Sequence, residues 1–91
     1  MIPDINNYQD WYKVETILKR MMQDHLEFMH DYNRLCKNIE VKIKDLGNID
    51  IQLRRKESVY YRNLRKEKLK EINDTVRMFS KMLLISSLSK R

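Results

Sequence analysis

Apolar residues recur every three or four positions over most of the first half of the chain. This spacing places them on one side of a helix, and a seven-residue repeat is typical of a seam along which helices associate. The second half has the same period in two phases, which an insertion of four residues would join. The pattern therefore predicts long helices that pack against other helices. The seam consists of Trp11, Leu18, His25, Tyr32, Ile39 and Leu46, with Val14, Met21, Phe28, Leu35 and Lys42 beside it.

The chain has one glycine, and it is followed by asparagine at Gly47-Asn48. Glycine readily adopts the left-handed conformation that follows many helices, and asparagine caps the start of the next helix. We therefore expect a reversal here. The alternative is one helix that continues through Gly47, because a single glycine costs a helix only about 1 kcal/mol. The predicted bounds are helix one at about 7–46, a turn near 47–48 and helix two at about 49–88, in one unit over 1–91.

Two arms of similar length predict an all-α fold, a long antiparallel two-helix hairpin of the coiled-coil type. Such a hairpin buries only a narrow stripe of each helix, yet this chain has more apolar positions than a stripe uses. Over 76–88, apolar residues occur on nearly every side of the helix. A helix that is apolar all round is normally buried all round. We therefore expect partner helices to complete a bundle with the hairpin.

Composition favours the same fold. One Gly and one Pro in 91 residues leave few tight turns, which disfavours a sheet-rich fold. A hydrophobic content of 42%, arranged periodically, argues against disorder. The start of the chain lacks the basic residues and the apolar run of a secretory signal, and no segment has the ~20 apolar residues of a membrane span. We therefore expect the protein in the cytoplasm or the nucleus.

Few residues are suited to catalysis or to metal binding. His25 and His30 lie five positions apart, on different faces of a helix, and do not form a metal-binding pair. Cys36 is the only cysteine, and no glycine-rich phosphate loop occurs. We therefore expect no enzymatic activity, no cofactor and no metal site. In the seam, His25 is expected to set the register or the choice of partner, as other polar seam residues do.

Positive charge is concentrated in the second half of the chain. Residues 1–46 include seven basic and eight acidic residues, whereas 47–91 include twelve and five. Basic groups along a helix fit a phosphate backbone or an acidic protein surface. The simpler interpretation is that they pair with acidic residues one turn away on a solvated helix. The candidate contacts to nucleic acid or to an acidic partner are Arg54, Arg55, Lys56, Arg62, Arg65 and Lys66.

Together, these features predict a non-enzymatic coiled-coil structural subunit that assembles or scaffolds a multiprotein complex. A different helical protein is favoured over a second copy as the partner. Burial of shared apolar surface would stabilise the complex by about 25 cal/mol per Å². The alternative function is a basic helical module, using residues 54–70, that binds nucleic acid or chromatin. The residues expected to contact the protein partner are Trp11, Leu18, Phe28, Leu35, Ile39, Ile72, Val76, Phe79, Met82, Leu83 and Ile85.

Overall fold

The computed structural model describes residues 2–89, and within this range the fold is all α. The molecule is extended, with principal dimensions of 53 × 18 × 16 Å. No helix in this range is both long and apolar enough to cross a membrane. The helices are α1 (Asp10–Met22), a short 3-10 helix (Leu26–Phe28), α2 (Met29–Arg55) and α3 (Val59–Ser89).

Helices α2 and α3 form the predicted antiparallel hairpin. The turn between them is here called the closed end. From the closed end toward the end where α2 begins, the contacts join successively earlier residues of α2 to successively later residues of α3. Three are ion pairs, and the last is a contact between two aromatic rings. In this order they are Arg65 to Asp50 at 2.7 Å, Lys68 to Asp45 at 3.8 Å, Lys42 to Glu71 at 3.5 Å, and Tyr32 to Phe79 with ring centroids 6.1 Å apart.

The predicted reversal at Gly47-Asn48 is wrong, because α2 continues through both residues. Gly47 does not have a positive φ, and its helical conformation is open to any residue. Burial of Leu46 and Ile49, on either side, offsets the small cost of glycine in the helix. The chain reverses instead at 56–58, and the Ser58 hydroxyl there accepts a hydrogen bond from an N–H group in the first turn of α3.

The predicted first helix is divided into two. Helix α1 ends at Met22, and His25 has a non-helical backbone, with φ −139° and ψ 52°. The polar residues around this break favour a helix weakly, whereas folding back lets α1 bury its apolar face. The chain therefore packs a third helix of its own against the hairpin, whereas the sequence pattern predicted that partner helices would complete the bundle. The predicted seam residues Trp11, Leu18, His25, Tyr32, Ile39 and Leu46 are all buried despite the break.

The side chain of Asn7 caps the turn that leads into α1. The Asn7 side-chain Oδ1 accepts hydrogen bonds from the backbone N–H groups of Gln9 at 2.9 Å and of Asp10 at 3.0 Å. The Asp10 carboxylate accepts a bond from the N–H group of Asn6 at 2.9 Å. These bonds satisfy backbone donors that the first turn of a helix leaves free. They also fix the direction in which the preceding residues leave the helix.

Residues 2–6, here called the strap, have no regular secondary structure and lie along α3. The Ile5 side chain is fully buried. The core therefore lies between α1, the strap and the half of the hairpin away from the closed end, here called the open half. Its members are Ile5, Trp11, Val14, Leu18, Met22, Tyr32, Leu35, Ile39, Ile72, Val76, Phe79 and Leu83.

Candidate interaction surfaces

Most of the residues predicted to contact a partner pack inside this chain. Phe28 and Met82 are partly buried against the same core, and Ile85 is exposed. A periodic pattern marks the positions that are buried, but it does not distinguish a partner helix from a helix of the same chain. A direct role of the core residues in binding stays a prediction. The buried members of the predicted set are Trp11, Leu18, Leu35, Ile39, Ile72, Val76, Phe79 and Leu83.

The open half also exposes large apolar side chains, on the outer side of α3 and where α2 begins. Met78 is 73% exposed and Leu88 is 66% exposed, although Phe79 and Leu83 between them are buried. Leu26 and Met29 lie at the same end, because α2 begins where α3 ends. Exposed apolar groups concentrated in this way mark interaction sites on many proteins. We define the open-half surface as Leu26, Met29, Met78, Leu84, Ile85 and Leu88.

A second surface is an open groove of about 820 Å³ between α1 and the outer side of α2. Tyr12 and Val41 are exposed in it, and Ile51 extends it toward the closed end. Charges of both signs line the groove, among them Glu15 and Lys44. Its apolar floor and mixed charge suit a protein segment better than a strongly charged ligand.

Five of the six predicted basic residues are exposed at the closed end, and one of them, Arg62, is in an ion pair. Arg54, Arg55, Lys56 and Lys66 are exposed there. Tyr60 is also exposed, and its ring contacts that of Tyr61 edge to face, with centroids 5.2 Å apart. Aromatic rings beside basic groups occur in many sites that bind nucleic acid.

The other two predicted basic residues form ion pairs within the chain. Arg62 pairs with Glu57 in the turn. Arg65 donates from Nε to Asp50 Oδ1 at 2.7 Å and from Nη2 to the Asn6 carbonyl at 2.7 Å. It therefore joins both α2 and the strap to α3. Because Arg65 is occupied in this way, its main contribution is to the fold.

Three titratable side chains lie in or beside the core. His25 Nδ1 is buried without a hydrogen-bond partner among residues 2–89, and the Glu27 carboxylate lies 3.9 Å away. Burial raises the pKa of the Tyr32 phenol and that of the Cys36 thiol, one turn later on α2. A thiol that stays protonated is a poor nucleophile and a poor metal ligand. In the described part of the chain, no three His, Cys, Asp or Glu residues are placed to hold a metal ion.

The sequence pattern did not predict the strap or two of the three residues of α3 that hold it, Asn73 and Arg77. The available signal was Ile5, an apolar residue shortly before a capped helix, because such residues often pack across the start of the helix. Comparisons with protein-family models, with curated proteins and with solved structures find no match. The exposed surfaces are therefore the features from which a function is inferred.

Proposed function

We propose that this protein is a non-enzymatic structural subunit of a multiprotein complex, and that it binds a helical segment of another protein through the open-half surface. The observation that carries this proposal is the exposure of Met78, Leu84, Ile85 and Leu88 along three turns of α3. The opposite side of the same turns is already buried by the chain's own core. A bundle needs at least one further helix to cover what remains exposed.

The energetics favour a protein partner. Full burial of one large apolar side chain contributes about 1.5–3 kcal/mol, so several together can exceed the cost of bringing two proteins together. Lys81 is exposed on the same part of α3. It favours a partner helix with an acidic residue beside its apolar face. In such a complex, apolar burial supplies affinity and the charged residues help to select the partner.

The test compares two substitutions of exposed residues in the full chain. A Met78→Asp/Leu88→Asp double variant places charge on the open-half surface, and Val59→Asp places charge at the closed end, where Val59 is 75% exposed. All three positions lie outside the core, so circular dichroism is expected to show unchanged helicity. Each tagged variant is expressed in cells that make the protein naturally, and the proteins that co-purify in stoichiometric amounts are measured.

We expect the wild-type chain and the Val59→Asp variant to retain the same partner and the double variant to lose most of it. Equal recovery of the partner with all three chains would remove the open-half surface from the proposal. Recovery of the wild-type chain without a stoichiometric protein partner, with light scattering showing a monomer, would contradict the proposed function itself. A dimer of the chain alone would assign the surface to a second copy.

A second candidate function is the binding of nucleic acid at the closed end. Its support is the exposure of Arg54, Arg55, Lys56 and Lys66 beside Tyr60. Charge of this kind gives affinity that falls with salt and little sequence preference. The closed end and the open-half surface are at different places on the molecule, so the two functions can be tested separately.

A further inference from the structure

The strap is held on α3 through its backbone. Asn73 Oδ1 accepts a hydrogen bond from the Ile5 N–H group at 2.7 Å, and Asn73 Nδ2 donates one to the Ile5 carbonyl at 2.9 Å. A neighbouring β-strand would offer the same pair of bonds to an extended residue. Because both bonds involve the main chain of Ile5, they are available to any extended segment placed at this position.

The contacts on either side of Asn73 add chemical selectivity. The Ile5 side chain enters the core and is fully buried. One residue earlier, Asp4 Oδ1 accepts a bond from Arg77 Nη2 at 2.7 Å. One residue later, the Asn6 carbonyl accepts a bond from Arg65 Nη2 at 2.7 Å. The strap therefore contributes a carboxylate at Asp4, an aliphatic side chain and an extended backbone at Ile5, and a backbone carbonyl at Asn6.

We propose that the face of α3 formed by Arg65, Asn73 and Arg77 is a binding site for an extended peptide, and that the strap is its resident ligand. The peptide that replaces the strap has an acidic residue immediately before an aliphatic one and belongs to a partner protein. This site is separate from the open-half surface and does not depend on it.

Exchange of the strap is feasible because a competing peptide of the same chemistry can replace each of its contacts with α3. Ile5 is the one fully buried side chain of the strap, Ile2 is partly buried against the same core, and the Asp4–Arg77 ion pair is more than half exposed on both sides. Ion pairs of this kind contribute little to stability. However, a tethered segment acts at an effective concentration on the order of millimolar. A free peptide therefore competes poorly with the strap, and a partner needs a second contact to displace it.

The experiment uses a labelled synthetic peptide with the sequence of residues 2–8 and measures its fluorescence anisotropy with full-length chains. An Ile5→Asp chain cannot bury its own strap, so its site is open to the peptide. We expect saturable binding to this chain at least ten-fold tighter than to the wild-type chain. A peptide that carries Ile5→Asp itself is expected not to bind.

The matched controls change one asparagine of α3 each. Adding Asn73→Leu to the Ile5→Asp chain is expected to abolish peptide binding, whereas adding Asn63→Leu, at an exposed position of the same helix, leaves it unchanged. Binding that is equal in these two chains would overturn the proposal. Failure of the peptide to bind an Ile5→Asp chain that circular dichroism shows to be folded would also overturn it.

If Ile5→Asp prevents folding, an Asp4→Arg chain tests the same proposal. This substitution leaves Ile5 in place and sets a positive charge against Arg77, which weakens the strap without changing the core. The peptide is then expected to bind the Asp4→Arg chain several-fold more tightly than the wild-type chain. Equal affinity for the two chains would contradict a resident-ligand role of the strap.

Discussion

The hydroxyl group of Tyr32 shows how a single residue responds to its surroundings. It is buried in the core and has no hydrogen-bond partner among residues 2–89. Burial disfavours the charged form and raises the pKa of Tyr32, as it does for Cys36. In the unfolded chain both groups lose their protons at lower pH than in the folded chain. Raising the pH above their ordinary pKa values therefore favours unfolding.

We predict that the free energy of unfolding falls as the pH rises above about 9, and that Tyr32→Phe makes this fall less steep above about pH 10. The stability linked to Tyr32 is fully present below the ordinary pKa of tyrosine and is lost as the pH rises through the higher folded value. Phenylalanine has no proton to lose. Urea unfolding followed by circular dichroism at pH 7, 9, 10 and 11 measures the effect.

Tyr12→Phe is the control for this measurement, because Tyr12 is 66% exposed. Its pH dependence is expected to follow that of the wild-type chain. At pH 7, Tyr32→Phe is expected to be at least as stable as the wild-type chain, since it removes a buried polar atom without a partner. Identical slopes for the two variants would show that Tyr32 titrates as an exposed phenol.

At the scale of elements, the continuation of α2 through Gly47 has a measurable consequence. A Cβ atom at Gly47 would meet nothing within 4 Å, apart from the helix itself. We predict that Gly47→Ala raises the free energy of unfolding by about 0.5–1 kcal/mol, because alanine favours a helix more than glycine does. Chemical denaturation at neutral pH gives the value, with Lys44→Ala, at an exposed position of the same helix, as the control because lysine and alanine have similar helix propensities. Destabilisation by Gly47→Ala would indicate that the helix bends or reverses at this residue.

The elements also show which parts of the fold could be predicted from the sequence. The seven-residue repeat identified buried positions on both sides of the break at His25, because α1 turns the same face inward after the chain folds back. Neither break carries a glycine or a proline. Gly47 suggested a turn, but α2 continues through it, and Ser58, which caps α3, was a weaker signal for the true reversal. Tertiary packing set the positions of both breaks.

The candidate site was harder to predict, because a periodic pattern marks the positions that are buried without showing which helix buries them. Apolar periodicity identified Phe79 and Leu83 as positions that must be covered, and in the structure they are buried in the same core as residues of α1 and α2. Only Ile85, Met82 and Phe28 of the predicted contacts keep exposed area for a partner. The pairing of Asn73 with the strap depends on residues 68 positions apart, a separation at which sequence patterns carry little information.

At the scale of the whole molecule, apolar exposure and basic charge are at different places. The open half exposes apolar side chains, whereas Arg54, Arg55 and Lys56 are exposed at the closed end. Ion pairs along the hairpin, such as Lys68 with Asp45, occupy some of the basic residues of the second half of the chain. These pairs leave the net charge of +6 unchanged, but the basic groups available to a ligand are fewer than the 19 Lys and Arg residues of the sequence.

The nucleic-acid candidate predicts that the affinity of the chain for a short DNA duplex falls with salt, and that Arg54→Ser/Arg55→Ser/Lys56→Ser reduces both the affinity and its salt dependence. Removing a side chain that neutralises one phosphate is expected to lower the slope of log affinity against log salt by about 0.9. Anisotropy titrations at several salt concentrations measure this slope. Three serine substitutions at exposed basic positions outside the closed end, Lys13, Arg20 and Lys37, form the control. Equal slopes for the two triple variants would reject the closed end as the site.

The bonds between Ile5 and Asn73 also bear on the order in which the chain folds. They join residues 68 positions apart, and the entropy cost of closing a loop increases with its length. Contacts between α2 and α3 close much shorter loops near the turn, so we expect the hairpin to form earlier. During synthesis, the strap emerges before α1, α2 and α3, and its binding face on α3 emerges after α1 and α2. A segment that the ribosome releases early is thus among the last to reach its place.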